Sequence, residues 1–175
     1  MVIFNNGQQK VIPKGTILLR QGEICKFGCR VIRGCLKSYV IDRSGKEHIM
    51  QFAPEGWLIT DMDSLLNQAP SCVNIEAIED TEVLWIQPEM EGFWDKATKE
   101  ELLEHTNLLT RNIIAFGKRT RMLLSATGEE RYLDFLQTYP LLAQRLPLKL
   151  IASYIGITPE YLSEIRRKSS GKQIS

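Results

Sequence analysis

The sequence predicts an α+β protein in which a strand-rich front half gives way to an all-helical back half. Three observations predict it. Short β-rich runs separated by turn residues recur from Val11 to Ile86. A helical pattern without proline runs from Glu89 to Leu124. A glycine-centred turn at Gly156 then separates two short amphipathic segments.

The strands come first. Val11-Ile12 precedes the turn Pro13-Lys14-Gly15, and Thr16-Ile17-Leu18-Leu19 ends at Gln21-Gly22-Glu23. Cys29 to Ile32 runs into Arg33-Gly34, Leu36 to Ile41 stops at Asp42-Arg43-Ser44-Gly45, and His48 to Phe52 returns toward Pro54-Glu55-Gly56. Val73 to Ala77 and Glu82 to Ile86 complete the set. Many short strands with glycine at the corners predict a closed antiparallel sandwich or barrel.

From Glu89 to Leu124 only Gly92 and Gly117 interrupt the helical pattern. Leu102, Leu109, Ile113, Phe116 and Leu123 fall on one heptad seam, with Thr106 and Thr120 at the intervening positions, and this seam is assigned to dimerisation. Leu103, Leu108, Ile114 and Leu124 supply a second apolar face. One face is expected to pack on the strands and the other on a second copy of the chain. Ala126-Thr127-Gly128 ends the helix, and Thr127 or Ser125 caps the next, which stops at Tyr139-Pro140. Ser169 to Ser175 is expected to fray.

The sharpest motif is Leu148 to Lys168. A first helix over Leu148 to Tyr154 ends at Gly156, where a left-handed backbone is expected. Ala152 lets two helices cross closely, and Ile157 points between them. Thr158 is an N-cap and Pro159 suits the first helical position. Leu162 and Ile165 face inward. This is a helix-turn-helix pattern, in which the first half of the second helix meets base edges and later basic residues meet phosphates. Tyr161 and Ser163 are therefore assigned to groove contacts, and Glu160 and Glu164 to acceptance from a cytosine amino group. Arg166, Arg167, Lys168 and Lys149 are assigned to phosphates.

Charge agrees with that assignment. Residues 1–110 hold 11 Lys+Arg and 16 Asp+Glu, a net of −5; residues 111–175 hold 11 and 5, a net of +6. Only the basic half needs to meet phosphates. No secretory pattern opens the chain and no run nears the roughly eighteen apolar residues of a membrane span, so the cytoplasm is the expected compartment and no membrane partner is expected. The four cysteines, Cys25, Cys29, Cys35 and Cys72, lack the spacing of zinc or cluster ligands; in strand-like surroundings they read as small apolar fillers, and no metal is expected.

Taken together, these residues resemble the Crp/Fnr family of transcription regulators over nearly the whole chain. The resemblance is carried by Pro13-Lys14-Gly15-Thr16-Ile17-Leu18, Gln21-Gly22-Glu23, Ile32-Arg33-Gly34, Gly45-Lys46-Glu47, Pro54-Glu55-Gly56, Ala77 to Val83, and Arg145 to Lys168. It implies a jelly-roll (double-stranded β-helix) sensor domain over residues 1–95, a connecting and dimerising helix over 96–125, and a helix-turn-helix DNA-binding domain over 126–175. The implied partners are double-stranded DNA, a second copy of the chain and RNA polymerase. The family's cyclic-nucleotide binders carry a Gly-Glu pair and an Arg-Ser or Arg-Thr pair around the ligand. The matching positions here are Thr60-Asp61 and Ser71-Cys72, which become the effector-pocket candidates. No arginine lies between Arg43 and Arg111, so nothing clamps a cyclic phosphate and cyclic AMP is not the expected effector. The effector is left unnamed and no cofactor is expected. The cysteines do not match the Fnr cluster pattern, and too few residues follow Lys168 for a two-stranded wing.

Two other classes compete. A signalling module could use the C-terminal helices to contact protein instead of DNA. A metal-dependent jelly-roll enzyme would need clustered histidines, and His48 and His105, the sequence's two, lie far apart, so no enzyme activity is expected.

Overall fold

The computed structural model describes residues 7–87 and 97–171. They fall into two compact units, Met1–Val40 with Met50–Ile114, and Ile41–Ile49 with Ala115–Ser175.

Eight strands build the first unit: β1 (Gln8–Ile12), β2 (Ile17–Leu19), β3 (Gly28–Arg33), β4 (Leu36–Ile41), β5 (Glu47–Ala53), β6 (Leu58–Ile59), β7 (Asn74–Ala77) and β8 (Thr81–Ile86). The tip of the β4–β5 hairpin is counted with the second unit. Two four-stranded sheets result, ordered β1-β8-β3-β6 and β2-β7-β4-β5. Every strand sends an apolar side chain into one shared core: Ile12, Leu19, Val31, Leu36, Ala53, Ile59, Ile75, Ala77 and Val83, with Trp57 and Trp85 packed against them. Cys25, Cys29 and Cys35 are fully buried and Cys72 is exposed. Burial pushes the Cys29 thiol well above its ordinary value, so it packs as an inert filler. The corner glycines have positive φ; at Gly34 a Cβ would also lie 2.7 Å from the Asp80 carbonyl, so only glycine fits that close approach.

Two elements of this unit are additional to the expectation. β6 is too short to show an alternating pattern and is defined by pairing with Cys29 and Arg30 of β3. Helix α1 (Met62–Asn67) is started by Asp61, whose carboxylate accepts from the Ser64 N–H.

Helix α2 spans Lys99–Ser125. Residues 89–96, expected to begin it, lie outside the described residues. A capping box opens it: the Thr98 N–H donates to the Glu101 carboxylate and the Glu101 N–H to the Thr98 hydroxyl. The strand-facing stripe differs from the expected second apolar face. Of Leu103, Leu108, Ile114 and Leu124, only Leu108 is buried, against Leu58, Ile86 and Leu84. The buried stripe is instead Glu101, His105 and Leu108, continued by half-buried Asn112, whose amide donates to the Leu58 carbonyl at 3.3 Å. An Arg30–Glu104 ion pair (2.9 Å) flanks it. Polar anchors join the single apolar Leu108 in selecting that side of the helix.

The second unit continues with α3 (Gly128–Thr138), α4 (Pro140–Arg145), α5 (Leu148–Ile155) and α6 (Pro159–Gly171). Thr127 caps α3 in a full capping box with Glu130. Pro140, read as a stop, opens α4 as its first residue. The tail differs too: residues 169–171 continue α6, while 172–175 lie outside the described residues. Phe135, Tyr139 and Tyr154 form an aromatic centre with ring centroids 5.5–6.1 Å apart. Burial raises the Tyr139 and Tyr154 phenol pKa values, so both hydroxyls stay protonated and act as hydrogen-bonding groups.

Candidate nucleic-acid interface and effector loop

The α5–α6 pair is built by its own sequence. Ile151, Ala152, Tyr154 and Ile155 bury one face of α5, and Ala152, with no exposed surface, permits a close crossing. Gly156 sits at φ 70°, ψ 40°, and its N–H reaches the Ala152 and Ser153 carbonyls. A Cβ there would also lie 3.1 Å from Arg131 Nη1 and Leu123 Cδ2. The Thr158 hydroxyl accepts from the Tyr161 N–H at 3.2 Å, a serviceable N-cap for α6. Leu162 and Ile165 are buried, so the opposite side of α6 faces out.

Each residue assigned to DNA is placed as follows. Lys149 is exposed near the start of α5, and Thr158 is exposed at the cap. Glu160, Tyr161, Ser163, Glu164, Arg166, Arg167 and Lys168 are all exposed along α6. The face is not uniformly cationic. Lys168 pairs with Glu164 at 2.7 Å, which lowers the carboxyl pKa and raises the ammonium pKa, so both remain charged. The Ser163 hydroxyl donates to the Pro159 carbonyl. Tyr161 is 44% exposed, with its ring resting over Gly128 at the start of α3. Sequence patterning gave no sign of that contact: it depends on Gly128 having no side chain.

A small solvent-open cleft lies beside the aromatic centre, between α2, α3 and α5. Arg119 and Arg131 in its wall spend donors on the Tyr154 and Ile155 carbonyls. Burial lowers the Arg119 pKa, and these bonds compensate its desolvation.

The four effector candidates do not form one set. The Thr60 hydroxyl donates to the Phe27 carbonyl at 2.8 Å. Asp61 caps α1 through one oxygen and accepts from the Ser71 hydroxyl at 2.7 Å through the other. Ser71 also accepts from the Val73 N–H. Ser64 ties the same loop to β3's approach, accepting from the Cys25 N–H and donating to the Ala69 carbonyl. Asp61 and Ser71 are thus brought together, while Cys72 is exposed apart from the buried loop bonds.

The seam residues are surface residues of this chain: Leu102 is 39%, Ile113 71%, Phe116 41% and Leu123 36% exposed, and Leu109 is half-buried. Among the described residues no helix is long and apolar enough to cross a membrane.

Comparison with known proteins agrees with this architecture. No curated protein sequence matches the chain. FixK2 from Bradyrhizobium japonicum superposes with a TM-score of 0.75 at 19% identity, covering 96% of this chain and 86% of its own. The c-di-GMP responsive global regulator CLP of Xanthomonas campestris gives 0.76 at 12% identity, with 98% and 90% covered. A CRP-family transcriptional regulator from Thermus thermophilus, TTHB099, gives 0.73 at 16%, with 94% and 86% covered. At these identities the likeness is one of fold. Residues 9–90 match the cyclic nucleotide-binding domain family, and the chain as a whole shares its fold with Crp/Fnr-type regulators.

Proposed function

We propose that the chain is a homodimeric, DNA-binding transcription regulator of the Crp/Fnr type, acting in the cytoplasm, whose effector is not cyclic AMP. The observation that carries it is the α5–Gly156–α6 unit, two helices joined by a left-handed glycine turn, in which Leu162 and Ile165 anchor the second helix and Tyr161, Ser163, Arg166 and Arg167 are exposed; we read it as a helix-turn-helix. Arg166 and Arg167 serve phosphates, as does Lys149; Tyr161 and Glu160 face the groove. The exposed seam of α2 supports a symmetric partner, and two copies would read a roughly palindromic site. RNA polymerase is the further partner such a regulator meets. Against a cyclic nucleotide stand the engaged oxygens of Asp61 and the lack of any arginine from 44 to 110.

The test is a selection of duplexes from a random-sequence library followed by titration in salt. Affinity for the selected duplex should fall steeply as salt rises, because phosphate contacts release counterions. Failure to select any duplex would overturn the proposal and favour a protein partner for the same helices.

A further inference from the structure

We propose that Ser153 and Arg119 clasp the open edge of strand β5 and so act as positioning residues for the α5–α6 pair; their assignment to DNA binding rests on the function proposed above. Residues Ile41–Ile49 belong to the same compact unit as Ala115–Ser175. β5 is an edge strand of its sheet. In an antiparallel strand the N–H and C=O of one residue point to the same side, so an edge strand presents alternate residues with both groups unsatisfied.

At Glu47 and Ile49, two side chains take up three of those groups. The Ser153 hydroxyl donates to the Glu47 carbonyl at 2.9 Å and accepts from the Ile49 N–H at 3.1 Å. Arg119 donates to the Ile49 carbonyl at 2.7 Å and, through Nε and Nη2, to the Tyr154 carbonyl at 3.2 and 2.9 Å. Its guanidinium lies 4.4 Å from the centre of the Tyr154 ring. One arginine therefore holds the last turn of α5 and the strand edge together.

The serine's behaviour is specific. A serine inside a helix commonly returns its hydroxyl to the carbonyl four residues back. Ser125 and Ser163 do so, bonding Arg121 and Pro159. Ser153 instead bridges two residues of β5. The hairpin tip it grips is preorganised, since Asp42 accepts from the Ser44 N–H and hydroxyl, the Lys46 N–H and the His48 ring. With the clasp closed, the outward side of α6 is exposed. The clasp therefore fixes the place of α5 against the strand edge, and loosening it lets the helix pair drift and weakens binding.

Ser153→Ala and Ser153→Thr in the full chain test this. Alanine keeps α5 helical and removes the hydroxyl; threonine keeps it. Two readouts are needed: amide exchange at Ile49, and affinity for the duplex selected by the wild-type protein, measured across salt concentrations. In Ser153→Ala, exchange at Ile49 should quicken and affinity should fall about threefold to tenfold. The salt slope should stay unchanged, because no phosphate contact is lost. Ser153→Thr should retain both wild-type values. Unchanged exchange would refute the clasp. Faster exchange with unchanged affinity would refute the positioning role, and a lowered salt slope would reassign Ser153 to a direct DNA contact. If the wild-type chain selects no duplex, the DNA reading and the positioning role fail together, while exchange at Ile49 still decides whether the clasp exists.

Discussion

In the homodimer proposed above, replacing Ile113 by alanine should weaken association by a predictable amount. Ile113 is the most exposed apolar residue of the α2 seam, with 71% of its surface open. Ile→Ala removes three carbons. At about 0.8 kcal/mol per buried carbon, scaled by the open fraction, the loss is ~1.7 kcal/mol per subunit. A twofold interface uses the residue twice, so the dimer loses ~3.4 kcal/mol, or roughly 300-fold in its dissociation constant. Ile114 is 65% exposed but lies about 100° further round the helix, off the seam. Ile114→Ala should therefore leave the constant nearly unchanged. Sedimentation equilibrium over a wide concentration range measures all three proteins. A wild-type chain that stays monomeric would refute the assignment, and so would an Ile113→Ala dimer within about threefold of wild type.

Other substitutions test the DNA face and the buried helix stripe. Arg166→Ala and Arg167→Ala should each weaken binding similarly on every duplex and flatten the salt slope by about one; Tyr161→Ala should instead change base preference, and equal behaviour of all three would refute the groove assignment. Gly128→Ala should also change base preference at constant salt slope, because the new Cβ would stand 2.7 Å from Tyr161 Cε1 and displace the ring; selection on random duplexes returning the wild-type preference would count against it. His105 is held neutral by burial, its pKa lowered from 6.5. The unfolded chain takes up that proton more readily, so this part of stability is whole above about pH 6.5 and drains away as pH falls from there through the lower folded value. His105→Leu should flatten the thermal midpoint against pH in that window, and an unchanged slope would place the effect elsewhere.

What could be read from sequence was what local chemistry controls. Seven of the eight strands, the Gly156 turn, the Thr158 cap and the inward Leu162 and Ile165 are signalled within a few neighbouring residues. The misses come from longer range or from ambiguous local signals. β6 has two residues and exists through its partner strand. Pro140 serves equally as a helix stop and as a first helical residue, and the structure uses the second. The buried stripe of α2 was obscured because apolarity pointed to Leu103, Ile114 and Leu124, all exposed, while the inner side carries Glu101 and His105. The grip of Ser153 on Glu47 and Ile49 leaves no trace in periodicity, because it joins one side chain to a distant main chain.

Thr60, Asp61 and Ser71 match a ligand pocket in sequence position yet are engaged in structural bonds. Asp61 already accepts from the Ser71 hydroxyl and from the α1 N-terminus, so a ligand hydroxyl there would share its oxygens with those donors or displace one of them. A ligand that displaces one of these donors must offset the lost bond, worth about 1.5–3 kcal/mol at a carboxylate. A cyclic phosphate would add a negative charge beside that carboxylate, which raises the demand further. A ligand with uncharged donors faces a smaller demand, since it can replace Ser71 on the same oxygen. Neutral, hydroxyl- or amide-bearing molecules are thus the class to offer this loop first, with Ser71→Ala expected to tighten their binding by removing the competing donor. Weaker binding in that variant, read by calorimetry, would show that Ser71 holds the ligand rather than competing with it.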